Sequence, residues 1–293
     1  KVANNPKDYC FHPDADFTRK RKISMKAVLT GIIGMGSGTL TNELIDFFHT
    51  SPRMPTPSAF LQQRNKIRPE AFRTIFDGFN KTIMKGISEK MPILAVDGSE
   101  IQIATNPGDP GSYYPGSNGQ KGYNLLHLNA LYEVNHHIYT DSIIQKSKNC
   151  NEHKALQEMV DRSAIPKALI IADRGYESYN SMAHIQEKGW YFLIRIKDGH
   201  GSIKSNLELP EQELLDLKVN LNITRKQSKE VKELLKDKNH YRFLPSNANF
   251  DYLPAKSNYK DPASFYGLSF RIARFRISED SYETVLTNLD EEQ

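Results

Sequence analysis

Two short stretches constrain this chain more than any others: Pro92-Ile-Leu-Ala-Val-Asp97-Gly-Ser99 and Ala168-Leu-Ile-Ile-Ala-Asp173-Arg-Gly-Tyr176. Each is an apolar run that stops at an aspartate and turns at a glycine, the pattern of a buried strand delivering a carboxylate to the edge of a sheet. Taken singly, a strand-ending Asp reads equally as a loop or helix cap, because its side chain bonds nearby backbone N–H groups. Two such deliveries in one chain point to a shared site.

A chain of 293 residues is long enough for one large domain or two smaller ones. With 38% hydrophobic and 25% charged residues it reads as a soluble globular protein. The longest apolar run, Ala27 to Met35, is broken by Thr30, Gly31 and Gly34 and falls short of the roughly 20 residues of a membrane span. The opening Lys-Val-Ala-Asn-Asn-Pro has neither an apolar leader nor an initiator Met, which suggests a fragment. The two cysteines, Cys10 and Cys150, make no disulfide framework and fit a reducing cytosol. Cys150 and His153 have a Cys-x-x-His spacing without a second pair, which is too little for zinc. A net charge of +4 permits a nucleic-acid partner without requiring one.

Residues 1–17 hold Pro6 and Pro13 and little periodicity, and read as a loose tail. The basic run Thr18-Arg-Lys-Arg-Lys22 opens a helical region over 18–90. Its apolar spacing predicts one helix through Ile23, Met25, Val28, Leu29 and Ile32, and a second over Leu40 to Phe48. Between them Gly34-Met-Gly-Ser-Gly38 lacks the Gly-Lys-Ser/Thr ending of a phosphate cradle, so it reads as a helix–helix turn. Two more helices follow, with Ser58 as an N-cap and Pro69 near the second start. Arg64, Lys66 and Arg68 give this module a basic face, which suits either a DNA backbone or plain solvent.

Residues 91–197 read as strands and helices in the order strand, strand, strand, helix, strand, helix, strand. The strands are Ile93 to Ile103, Tyr123 to Val134, His137 to Ile144, Ala168 to Ala172 and Trp190 to Ile196, with a tight hairpin at Val134-Asn-His136. The helices span 151–162 and 178–188. That order predicts an α/β fold with a ribonuclease-H-like mixed sheet, in which Asp97 and Asp173 become neighbours in space. Residues 198–278 hold short strand candidates (Ile203, Lys218 to Thr224, Tyr241 to Leu244, Ser269 to Ile277) and read as a mostly β insertion. In Phe270-Arg-Ile-Ala-Arg-Phe-Arg-Ile277 the arginines form either a strip for DNA or an ordinary exposed sheet face. Within 279–293, Tyr282 to Leu289 reads as one more core strand.

Five segments in order carry a resemblance: Ser58-Ala-Phe-Leu-Gln-Gln-Arg64, Ala95-Val-Asp97-Gly-Ser99, Ile171-Ala-Asp173-Arg-Gly-Tyr176, Ile223-Thr-Arg-Lys-Gln227 and Tyr282-Glu-Thr-Val-Leu-Thr-Asn-Leu289. Through most of its length the sequence resembles the cut-and-paste DDE transposases of the insertion-sequence-four group. The resemblance implies a ribonuclease-H-like core, a β insertion before the last catalytic element, and a helical DNA-binding region. It matches Asp97 and Asp173 to the first two catalytic aspartates, ligands of Mg²⁺ with Mn²⁺ able to substitute, and Arg174 to the basic residue after the second. Arg64, Lys66, Arg174, Arg225, Lys226, Arg271 and Arg274 are then candidates for holding DNA phosphates. The implied partners are double-stranded DNA at terminal inverted repeats and a second copy in a synaptic homodimer, with no membrane, in the nucleoid-bearing cytoplasm of a prokaryote.

In that group the catalytic Glu lies on a helix after the Thr-Asn-Leu strand, within a signature of Tyr, Arg, Glu and Lys. Only Asp290, Glu291, Glu292 and Gln293 follow Leu289, so the expectation is a chain truncated before its third carboxylate, with weak metal binding and little strand transfer. Two other readings stay open: a DNA-binding transposase remnant, and a ribonuclease-H-like nuclease with Glu283 as its third acid.

Overall fold

The computed structural model describes residues 1–19, 22–49, 51, 52, 54–86, 90–117, 119–196, 201–210, 212–254, 264–279 and 281–290. Lys20 and Arg21 of the basic run, Lys197, and Glu291 to Gln293 lie outside the described residues. The chain divides into two units, Lys1–Ser88 and Glu89–Gln293.

The first unit is helical. Helices α1 (Met25–Gly34), α2 (Leu40–Phe48), α3 (Pro57–Arg64) and α4 (Glu70–Met84) bury Val28, Leu29, Leu44, Phe60 and Ala71 in a common core. The glycine-rich link between α1 and α2 is a turn, as its sequence predicts. Its backbone donors are already taken, because the Glu43 carboxylate accepts from Gly36 N at 2.9 Å and Gly38 N at 2.7 Å. Helix α3 starts one cap earlier than predicted. Pro57 occupies its first turn without an N–H to offer, and the Thr56 hydroxyl, not Ser58, accepts from Ala59 N at 3.2 Å. Residues 1–17 are not a loose tail. Val2 and Cys10 are buried in this core, and Cys10 forms a bridge with Ile67. Two 3-10 turns, Val2–Asn4 and Pro6–Tyr9, make this packing, and such turns leave no periodic apolar pattern to read.

The second unit is built on one ten-stranded mixed sheet. Its first strands are β1 (Ile93–Ile103), β2 (Tyr113–Tyr114), β3 (Tyr123–Glu133) and β4 (Ile138–Lys146). Strand β3 pairs antiparallel with β1 on one side and with β4 and β2 on the other. After α5 (Glu152–Arg162), strand β5 (Leu169–Ala172) joins β1 in parallel. After α6 (Tyr179–Glu187), strand β6 (Tyr191–Arg195) joins β5 in parallel. Parallel strands in a sheet interior read as unbroken apolar runs, and here Leu94, Ile170, Phe192 and Ile194 are fully buried. Leu156, Met159 and Val160 of α5 and Met182, Ala183 and Ile185 of α6 complete that core.

The remaining strands are β7 (Leu215–Thr224), β8 (Tyr241–Phe243), β9 (Phe265–Ser278) and β10 (Ser281–Thr287), with the short helix α7 (Lys229–Leu234) between β7 and β8. Ile203, a predicted strand, instead leads into the 3-10 turn Lys204–Asn206. The β7–β9 region is not a body apart. Strand β10 pairs antiparallel with β6, β9 with β10, and β7 with β9, so the predicted insertion prolongs the core sheet. An open edge on β6 would leave a row of backbone donors and acceptors unpaired, and β10 with β9 behind it satisfies them.

Candidate active site

The β1–β5 register runs Ile93 opposite Leu169, Leu94 opposite Ile170 and Ala95 opposite Ile171. Two residues further along stand Asp97 and Asp173, both exposed; Asp173 directly follows the last residue of β5, whereas β1 runs on past Asp97 to Ile103, paired there with β3. Each carboxylate is tied to its own segment. Asp97 Oδ1 accepts from Gly98 N, and Asp173 Oδ1 accepts from Gly175 N, each at 2.8 Å. Asp173 therefore caps the 3-10 turn Arg174–Tyr176, whereas Gly98 lies within β1 opposite Asn129, so the turn predicted after Asp97 does not form.

Three more groups surround this edge. Glu152, on the first turn of α5, lies 3.0 Å from Nε2 of the buried His127 on β3. That pair is an ion-pair contact whose angles do not make a hydrogen bond, since His127 Nε2 has no hydrogen-bond partner. A Cβ placed on Gly98 would stand 2.5 Å from His127 Nε2 and closer still to Glu152 Oε1, so glycine is what lets these side chains lie over β1 beside Asp97. Tyr176, which closes the turn after Asp173, is 2% exposed and its hydroxyl has no hydrogen-bond partner among the described residues. Burial first, and then the charges of Glu152, Asp97 and Asp173, push its phenol well above the usual tyrosine value. The Tyr176 hydroxyl thus lies within electrostatic reach of all three carboxylates. The His153 ring packs edge-on against the Tyr176 ring, with centroids 6.2 Å apart.

Glu283, the alternative third acid, sits on β10 and hydrogen-bonds Arg195 at 2.5 Å. Its carboxylate, with a smaller contribution from Asp173, raises the Arg195 guanidinium above its usual value. Glu283 is therefore neutralised by a neighbour at the same edge. Cys150 is an exposed free thiol.

The predicted phosphate-holding residues fare unevenly. Arg174 is exposed and makes no hydrogen bond or ion pair among the described residues. Arg64 ends α3 and, among the described residues, its side chain reaches its neighbour Asn65 at 3.2 Å. Lys66 lies 3.8 Å from the buried Asp16 and over the Phe17 ring. Arg225 donates to the carbonyls of Pro245, Ala248 and Phe250, while Lys226 is half-buried. Arg271 pairs with Asp216, its Nε 3.0 Å from Oδ1, and Arg274 donates to Thr284 Oγ1 at 3.1 Å and covers the Tyr282 ring. Arg225, Arg271 and Arg274 therefore fasten the sheet and its loops, and the strip predicted on β9 is not a row of free guanidiniums.

The transposase DDE domain family matches residues 88–290, more than two thirds of the chain. The chain belongs to the DDE transposase domain family. No curated protein matches it. A solved structure, the synaptic complex of piggyBac transposase with hairpin DNA, is similar at a TM-score of 0.42 and 10% identity, over 91% of this chain and 50% of that one. The chain thus spans about half the length of that structure.

Within the DDE domain, the acidic side chains at the sheet edge suit a divalent ion. Among the described residues no three His, Cys, Asp or Glu side chains stand close enough together to enclose an ion. The donors are nevertheless hard carboxylate oxygens on two exposed aspartates of adjacent strands, and the buried Tyr176 hydroxyl, without a partner among the described residues, feels both charges. An ion that keeps several waters and takes one or two carboxylates, with substrate phosphates completing its shell, fits an open pair of this kind. Among the described residues no helix is long and apolar enough to cross a membrane. Glu152, His127 and Tyr176 are invisible to a strand-end reading. The only signal for them was Gly98, the small residue beside Asp97.

Proposed function

We propose that this chain is a cut-and-paste DNA transposase of the insertion-sequence-four group, acting on double-stranded DNA at the terminal inverted repeats of its element, as a homodimer when two ends are paired. The observation that carries the reading is the β1–β5 register, which sets Asp97 and Asp173 side by side, two residues beyond the paired Ala95 and Ile171, within a DDE domain. The β4-β3-β1-β5-β6 order, antiparallel then parallel, supports the ribonuclease-H-like form of that domain.

Asp97 and Asp173 would hold Mg²⁺, or Mn²⁺ in its place. Bound there, the metal lowers the pKa of an attacking water or 3′-hydroxyl and stabilises the leaving oxygen of an in-line displacement at phosphorus. The protein's own contribution is placement. Gly98 N and Gly175 N fix one oxygen of each aspartate, leaving the other oxygen of each for the reaction. Arg174, exposed next to Asp173, is the cation best placed for a DNA phosphate, and Arg64 and Lys226 are further candidates in the two units.

The test is nicking and joining of a plasmid carrying the element's terminal repeats, with Mg²⁺ or Mn²⁺. Asp97→Asn and Asp173→Asn should each abolish both reactions while leaving DNA retention on a filter unchanged. Cleavage that survives both substitutions would remove the proposed site, and retention without any cleavage by the unaltered chain would favour a DNA-binding remnant.

A further inference from the structure

The connection between β1 and β3, residues 104–122, is long for a compact domain and holds only the two-residue strand β2. Loops of that length are uncommon unless they serve a function. Its described residues are tied down at several points. The fully buried Asn124 accepts from Asn106 N at 2.7 Å and donates to Asn106 O at 3.0 Å and to Ser112 Oγ at 2.8 Å. Ser112 donates in turn to Asp109 at 2.7 Å, and Lys146 pairs with Asp109 at 2.6 Å. Glycine is required at position 122, because a Cβ there would meet the Tyr113 ring at 2.7 Å.

This braced loop presents an aromatic pair. Tyr114 on β2 stands directly opposite Tyr123 on β3, and their rings stack with centroids 5.4 Å apart and planes 14° from parallel. The Tyr114 ring is fixed at its edge. Ser147 gives its only hydroxyl proton to Glu100 at 2.6 Å, so its oxygen accepts from the Tyr114 hydroxyl at 3.0 Å. The Lys148 ammonium stands 5.1 Å from the centroid of the same ring. Tyr123 is held by none of these means. It is 37% exposed, its hydroxyl makes no hydrogen bond, and no second ring or cation lies against it among the described residues. Cross-strand aromatic pairs ordinarily stabilise a sheet, and the contact with Tyr114 serves that role. It accounts neither for the exposure of Tyr123 nor for the charge around it. Lys148 and Lys121 are exposed and have no acidic partner among the described residues, while Asp109 is taken by Lys146 and Glu100 by Ser147. An exposed aromatic face beside uncompensated ammonium groups matches a nucleotide, whose base stacks while its phosphate meets the cations.

We propose that Tyr123, backed by Tyr114 and with Lys148 and Lys121 close by, is a stacking platform for an unpaired base of single-stranded DNA. Inside a duplex both faces of every base are covered by its neighbours, so the ring selects a base that has left the stack. The platform is separate from the aspartates. Asn124, next to Tyr123, pairs with Ile103 at the far end of β1, whereas Asp97 pairs with Ala130. The inference rests on the reading that the chain handles DNA and goes beyond the two-aspartate site. Cutting at the end of an element exposes terminal bases, and those leave the duplex at least cost.

The experiment is fluorescence anisotropy of a labelled oligothymidine of about 12 nucleotides on the full chain, at fixed salt, with a duplex of the same length as second probe. Tyr123→Ala should weaken single-strand binding on the order of tenfold and leave duplex binding unchanged. Tyr123→Phe keeps the ring and should bind like the unaltered chain. Tyr123→Leu keeps apolar bulk without a flat ring, so it should lose about as much as the Ala variant, and it carries the comparison if that variant does not fold. Undiminished single-strand binding in a folded Tyr123→Ala or Tyr123→Leu, or an equal loss in Tyr123→Phe, would overturn the platform and leave the DNA reading standing. Duplex binding without single-strand binding by the unaltered chain would do the same. Binding of neither probe by the unaltered chain would overturn both.

Discussion

Gly98 shows how much of this site hangs on one backbone position. A methyl group there would meet the side-chain tips His127 Nε2 and Glu152 Oε1, of which the partly exposed Glu152 can swing aside while the buried His127 has less room to move. Gly98→Ala should therefore cost about 1–3 kcal/mol, the usual penalty for overfilling a packed site. It is read as a lower urea midpoint at unchanged slope, and an unchanged midpoint would show that the two side chains move aside freely. Asp97 and Asp173 were legible as residues because each closes an apolar run just before a glycine or an Arg-Gly pair, which is a local pattern, although β1 runs on through Gly98 where a turn was expected. Glu152 and His127 were not legible, since nothing within their own segments distinguishes a site carboxylate from a solvated helix acid. The arginines show the same limit. Arg271 and Asp216 are 55 residues apart in the chain, and only the antiparallel pairing of β7 with β9 makes them partners.

Elements are where reading and structure agree best, and where they part the causes are specific. Long periodic segments such as α2, β1 and β9 stand close to where their patterns place them, because burial on one face imposes the period. Helix α3 shows what a cap decides. Thr56→Ala should cost about 1 kcal/mol, whereas Ser58→Ala, inside the first turn, should change the thermal midpoint little. A larger loss from the Ser58 variant would reverse the assignment. The segment carrying Asp251 is pinned to α6 through that residue, whose carboxylate accepts from Asn180 at 2.8 Å and pairs with His184 at 2.9 Å. The Asn180 bond, then the His184 bond, hold Asp251 below its usual value of 3.8. Asp161 faces the other nitrogen of His184, and Arg225 adds a smaller positive influence. A depressed folded-state pKa adds stability above the unfolded value, and that stability is lost as pH falls through the lower folded one. Asp251→Asn should thus flatten the acid limb of stability below about pH 4. The effect is modest because the Asp251 side chain is largely exposed, and an acid limb identical to that of the unaltered chain would remove Asp251 as a contributor.

At the scale of the whole molecule, each unit has its own core, one around Val28, Leu44 and Phe60 and the other around Ile170, Phe192 and Leu286. A fragment of residues 89–293 should therefore melt cooperatively by itself, checked by circular dichroism, and a fragment without a folding transition would show that the sheet depends on the helical unit. The order of strands and helices over 93–195 was set by the sequence, because alternating and continuous apolar runs with turn residues between them allow few topologies. The same local patterns marked an aspartate at the close of each of two apolar runs. Tertiary structure alone decided that β10, β9, β7 and β8 continue the core sheet, that residues 1–17 pack into a core, and that Glu152 meets His127 over Gly98. Periodicity reports which face of an element is buried. Which element it is buried against, and which side chains then meet, depends on register and packing between segments far apart in the chain.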